Sequence, residues 1–135
     1  MSDQSIGDLT HRFSSLAVAQ RSPIPRPDPR DAHYFASLET ARIIAARILE
    51  NPSLIALGTE HLDDLDRRRG GLPLCDLEWR HIIRTHTPQE IAELLCLETE
   101  EAQRLRSSKP FIGEPFISPK KAHEIYAGFA ALAYA

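Results

Sequence analysis

The stretch SLETARIIAARIL, residues 37–49, decides the fold class. Its apolar residues recur at steps of three and four, which is the spacing of a helix that buries one face. Ser37 can serve as the N-cap of this helix. Asn51-Pro52 follows, and because a residue before proline disfavours the α conformation, we expect the helix to end there. The apolar face consists of Leu38, Ala41, Ile44, Ala45, Ile48 and Leu49.

Two further helices are predicted after this stop. Pro52 opens one of them, since proline is favoured in the first turn of a helix. That helix closes with RRRGG, residues 67–71, where the cations suit the carbonyl end and a glycine supplies the left-handed cap. The next helix begins at Asp76 and carries Trp79 on its apolar side.

The remaining helix starts are marked by capping residues. Thr87 and Glu90 form a capping box, Thr99 opens a short helix, and Ser118-Pro119 opens the last one. No stretch alternates convincingly in the way a strand requires. We therefore predict an all-α domain over residues 32–135, a compact bundle of about five short helices.

The N-terminal part is predicted to be a separate arm. Residues 1–21 contain an amphipathic helix, and SPIPRPDPRD, residues 22–31, has a proline at every second position from Pro23 to Pro29. Such a stretch favours a stiff, extended polyproline-II linker. The arm's apolar stripe consists of Ile6, Leu9, Phe13 and Leu16.

Composition narrows the classes of protein. The 135 residues are 42% hydrophobic and 26% charged, with a net charge of −3, which excludes a strongly basic nucleic-acid coat. No run approaches the roughly 20 apolar residues of a membrane span. Cys75 and Cys96, without a signal peptide at the N-terminus, predict reduced thiols and a cytoplasmic location.

Residues 88–106 have the spacing of a helix-turn-helix unit, with a small residue at position 92 and apolar anchors around it. Cys96 stands where the turn favours glycine, and three acids near the second helix, Glu98, Glu100 and Glu101, would repel phosphates. A helical hairpin used for packing is therefore the preferred interpretation, and DNA recognition is the alternative. The alternative assigns the DNA contacts to Gln103, Arg104, Arg106 and Lys109.

The sequence offers no recognisable catalytic or metal-binding pattern. The six histidines are scattered, and the acidic residues around Asp63 and Asp64 are followed by Arg67 and Arg68, which suits ion pairs on a helix surface. We therefore predict that the chain is not an enzyme, with no catalytic residue, no metal site and no cofactor.

The C-terminal run IYAGFAALAYA, residues 125–135, is apolar on nearly every side. A helix of this kind requires burial on more than one face. We expect it to be a core helix whose end is available for association.

Several segments together resemble short bacterial proteins encoded beside nucleotidyltransferase-type toxins. The resemblance covers about residues 38–127. It implies an antitoxin, or an accessory partner, that acts by binding. The segments that carry it are ENPSLI (50–55), the Trp79 helix, TPQEIAELL (87–95), EEAQRLRSSKPF (100–111) and SPKKAHEIY (118–126).

These observations predict a non-enzymatic protein-interaction module, an antitoxin-like neutraliser in a bacterial toxin–antitoxin pair. The expected partner is a toxin-like protein, with a nucleotidyltransferase as the implied class, or a second copy in an oligomer. The arm residues Ile6, Leu9, Phe13 and Leu16 are the predicted partner contacts, because an amphipathic helix can lay its apolar stripe in a groove. The alternative is a helix-turn-helix DNA-binding transcriptional regulator.

Overall fold

A computed structural model describes residues 29–134, and the side chains of residues 30–133. Within this part of the chain there are six α-helices and no strand, so the predicted all-α bundle is confirmed. The elements are α1 (Pro29–Glu50), a 3-10 turn (Pro52–Leu54), α2 (Ile55–Arg69), α3 (Leu74–Thr85), α4 (Pro88–Leu95), α5 (Glu100–Arg106) and α6 (Pro119–Tyr134). The predicted arm, residues 1–21, lies outside the described residues.

Helix α1 begins at Pro29, within the stretch predicted to be an extended linker. Proline is favoured in the first helical turn, and Asp31 places a negative charge near the helix N-terminus. The last three residues of the predicted linker, 29–31, are therefore helical. Ser37, predicted as the N-cap, is instead buried in the middle of α1.

Helix α1 lies at the centre of the bundle and packs against α4, α5 and α6. Five of its predicted core residues are buried: Leu38, Ala41, Ile44, Ala45 and Ile48. The sixth, Leu49, is 54% exposed and lies in the last turn of α1.

Apart from Ser37, the predicted caps are confirmed at Thr87, Thr99, Ser118 and Gly70. Thr87 Oγ1 accepts from the Glu90 backbone N–H at 3.1 Å, and Glu90 Oε1 accepts from the Thr87 N–H at 2.9 Å. The hydroxyls of Thr99 and Ser118 each accept a backbone N–H three residues further on, at 3.1 and 3.0 Å. Gly70 ends α2 with a φ of 69°, a left-handed conformation that glycine adopts without strain.

An aromatic cluster joins α2, α3 and α5. Trp79 is fully buried, and its indole N–H donates to the Leu105 carbonyl at 2.9 Å. The Phe111 ring meets Trp79 edge-on at a centroid distance of 5.6 Å, and Phe116 lies 5.4 Å from Phe111. Gly58 of α2 makes room for this cluster, since a Cβ there would lie 2.5 Å from Phe111 Cε1.

None of the helices within residues 29–134 combines the length and the apolar character needed to cross a membrane.

We expect Gly58→Ala to lower the free energy of unfolding by about 1–3 kcal/mol, because Phe111 is held between Trp79 and Phe116 and has no space to move aside. This loss opposes the gain of about 1 kcal/mol that alanine brings to a helix interior. Gly128→Ala is the matched control, since a Cβ at Gly128 meets no atom within 4 Å. Urea denaturation of the two variants measures the difference, and equal stability would contradict the packing described here.

Candidate functional site

The predicted partner contacts on the arm, Ile6, Leu9, Phe13 and Leu16, lie outside the described residues. Their role remains a prediction. The predicted DNA contacts and the apolar C-terminal helix lie within the described residues.

Helices α4 and α5 form the predicted hairpin, joined by residues 96–99. Cys96 ends α4 in a right-handed conformation, with a φ of −99°. The turn therefore does not need the positive φ for which glycine would be preferred. Burial raises the pKa of the Cys96 thiol to about 11, so the thiol stays protonated near neutral pH.

Arg106 is buried and holds this hairpin together. Its side chain is 1% exposed, and the guanidinium donates to the carbonyls of Leu95 and Leu97 at 3.2 and 2.5 Å. The guanidinium carbon also lies 5.6 Å from the centre of the Tyr34 ring, within range of a cation–π interaction. In this arrangement Arg106 satisfies the carbonyls at the end of α4 and does not present its charge to solvent.

Arg104 connects α5 to α3. Its guanidinium donates to both carboxylate oxygens of Glu78, each at 2.8 Å, and also to Glu101. These hydrogen bonds lower the pKa of Glu78 and of Glu101 below the ordinary value of 4.5. The charge of Arg104 is therefore paired on the surface of the protein.

The other two predicted DNA contacts, Gln103 and Lys109, lie beside Arg106. Gln103 Oε1 accepts from Arg106 at 2.8 and 3.2 Å, and Lys109 Nζ lies 3.5 Å from the Arg106 carbonyl oxygen. Burial lowers the pKa of Lys109. The structure thus places Gln103, Arg106 and Lys109 together at the α4–α5 hairpin, whereas Arg104 is paired with Glu78 of α3. DNA binding through them remains a prediction.

The three aspartates of α2 are paired with arginines. Asp64 contacts Arg68 at 2.8 Å, as predicted, whereas Asp63 and Asp66 both contact Arg80 of α3, at 3.1 and 3.3 Å. The two Arg80 contacts link α2 to α3. Among residues 29–134, no group of three His, Cys, Asp or Glu side chains is placed to hold a metal ion.

An open apolar groove lies between α1 and α6, and we call it the α1–α6 groove. Its volume is about 560 Å³. On one side Phe129 stacks against Phe35 at 6.2 Å, while Leu132 is 57% exposed. The lining residues are Glu39, Glu124, Ile125, Gly128, Phe129 and Leu132. A lining that is mostly apolar suits the apolar face of a helix.

The sequence signal for this groove is the run at residues 125–135, apolar on every side. Its predicted burial as a core helix is only partly confirmed: Ile125 packs against the core, but Leu132 and Gly128 are exposed. The described helices cover one face of α6 and leave another open.

No protein-family model matches this chain, and the searches of curated proteins and of solved structures found no significant match either.

We expect Arg106→Ala to lower the free energy of unfolding by about 2–4 kcal/mol, because the buried Leu95 carbonyl and the partly buried Leu97 carbonyl lose a charged donor. Arg67→Ala is the control, since the Arg67 side chain is 77% exposed and makes only a surface ion pair. Its effect should stay within about 0.5 kcal/mol. Denaturant unfolding tests both, and similar losses for the two variants would contradict a buried structural role for Arg106.

Acid should weaken the α3–α5 connection. Because the folded-state pKa of Glu78 lies below 4.5, the stability that its carboxylate contributes is present above that pH. It is lost as the pH falls through the lowered pKa. Thermal unfolding from about pH 7 to about pH 3 should show Glu78→Gln less stable than the native chain at the high end only. A stability difference that is independent of pH would argue against this ion pair.

Proposed function

We propose that this chain is a non-enzymatic interaction protein that neutralises a toxin-like partner in a bacterial toxin–antitoxin pair. The α1–α6 groove is the observation that supports an interaction role. It leaves Leu132 exposed and Phe129 partly exposed, side by side in one lining. Leu132 is one of six exposed large hydrophobic residues in the described part of the chain, and it is the one that lines this groove. Apolar surface gathered in one groove is typical of protein-interaction sites.

The α1–α6 groove offers mainly apolar contacts for recognition. Arg104 and Arg106, two strongly hydrogen-bonding cations of α5, are already engaged with Glu78 and with backbone carbonyls. Binding by shape and apolar contact agrees with neutralisation, which requires a partner's surface to be covered and no bond to be made or broken.

The resemblance over residues 38–127 suggests the class of partner, a nucleotidyltransferase-type toxin. The arm suggests how the partner is covered. An amphipathic helix attached to a folded domain can lay its stripe in a partner's groove, and the folded domain provides a second contact. The proposal therefore assigns the main contacts to Ile6, Leu9, Phe13 and Leu16, with the folded domain as the anchor.

DNA binding by the α4–α5 hairpin is the second candidate. The hairpin has two helices joined by a short turn and rests on α1, an arrangement that DNA-binding proteins use. An electrophoretic shift with the DNA upstream of the chain's own gene tests it. Because phosphate contacts are strongest at low salt, a lack of binding there would remove this candidate.

We expect the product of the neighbouring gene, if it is a toxin-like protein, to co-purify with this chain and to lose its toxicity on co-expression. The double variant Leu9→Glu/Phe13→Glu should weaken the complex at least about tenfold, since it places charges on the apolar stripe. The matched control is His11→Glu/Ser15→Glu, which adds the same charges on the opposite side of the predicted helix.

Growth rescue and the dissociation constant by calorimetry measure the effect. The proposed function fails if the neighbouring product neither binds this chain nor is relieved of toxicity by it. Equal weakening by both double variants would show that the apolar stripe is not the specific contact. The proposed neutralisation would then still stand, but the assignment of its main contacts to the arm's stripe would not.

A further inference from the structure

The α1–α6 groove has the shape of a site for a helix. Ile125, Phe129 and Leu132 lie on one side of α6, and Gly128 lies between them. A Cβ added to Gly128 would meet no atom within 4 Å, so the space above this residue is open. A second helix can therefore approach the α6 backbone closely at this point.

The amphipathic stretch of the arm has the matching polarity and is longer than the groove, so part of it is enough to cover the groove. From Ile125 to Leu132 the groove extends about 10 Å along α6, and the stripe from Ile6 to Leu16 would extend about 15 Å as a helix. A stripe of Ile, Leu and Phe side chains at helical spacing is the chemistry that a groove of Ile, Phe and Leu accepts.

The connection to α1 allows the arm to reach this groove on its own chain. Glu39, which lines the groove, lies ten residues after Pro29, about 15 Å along α1. The seven residues 22–28 reach about 22 Å when extended as polyproline II. A tether of this length keeps the stripe at a high effective concentration near the groove, which favours docking within one chain.

Charge is complementary at the edge of the groove. Glu39 is already paired with Arg42 at 3.3 Å, so the relevant carboxylate of the lining is that of Glu124. Arg12 stands beside the stripe of the predicted arm helix. Opposite charges at the rim of an apolar contact help to set its orientation.

From these four observations we infer that the α1–α6 groove is the docking site for residues 6–16 of the same chain. This inference does not rest on the proposed function, because it concerns the chain without a partner. It adds a consequence to that function: the stripe cannot contact the groove and a partner at once, so the groove competes with the partner for the arm.

Amide hydrogen exchange on the full-length chain, followed by mass spectrometry, tests the inference. We expect residues 6–16 to exchange at least about tenfold more slowly than an unstructured chain, since an isolated helix of this length gives little protection. Leu132→Glu should abolish this slowing by placing a charge in the groove. The control is Leu74→Glu, at a leucine that is 75% exposed at the start of α3 and is not part of the groove.

A second variant, Phe13→Glu, alters only the arm and should abolish the slowing without touching the folded domain. If Leu132→Glu disturbs α6 itself, the Phe13→Glu result alone tests whether the arm docks in the groove. Light scattering on the same samples reports the subunit count, and we expect a monomer at every concentration at which residues 6–16 are protected.

Three results would overturn the inference. Unprotected residues 6–16 would show that the arm does not dock. Protection that survives Leu132→Glu would place the arm elsewhere. Protection that appears only with a dimer mass, and disappears on dilution, would show that the groove takes the arm of a second copy.

Discussion

The Trp79 indole is the constraint on which the arrangement of the helices depends. A buried N–H without a partner is costly, and the Leu105 carbonyl, at 2.9 Å, is the acceptor that satisfies it. This bond sets the distance between α3 and α5. The Trp79 ring then positions Phe111, and Phe111 fits only because Gly58 has no side chain beneath it. One hydrogen bond and one missing Cβ thus relate α2, α3, α5 and the loop before α6.

The short helices need this support because they cannot maintain themselves. Helix α4 has eight residues and α5 has seven, which is below the length at which an isolated helix is stable in water. Their ends are completed by other parts of the fold: Thr87 and Thr99 cap the N-termini, and Arg106 binds the carbonyls where α4 ends. The polar residues of the hairpin therefore stabilise two helices that are too short to be stable alone.

Local signals predicted most of the fold, and long-range packing explains what they missed. The capping box at Thr87 and the glycine at position 70 act within a few residues, so their effect is visible in the sequence. The start of α1 was missed because alternating prolines indicate an extended chain, yet Pro29 is also acceptable in a first helical turn. The exposure of Leu49 was missed because a pattern of apolar residues does not reveal which of them a neighbouring helix covers.

The candidate site was harder to predict because its character depends on which partners each side chain finds. Sequence spacing alone cannot distinguish an arginine that faces DNA from one that satisfies carbonyls nine and eleven residues earlier, as Arg106 does. The same limit applies to α6, where an apolar run predicts burial without saying how many helices are present to provide it. Helix α1 covers one face of α6, and the remaining face makes the groove at Phe129 and Leu132. Surplus apolar surface on a terminal helix is therefore the feature that connects the sequence pattern to an interaction role.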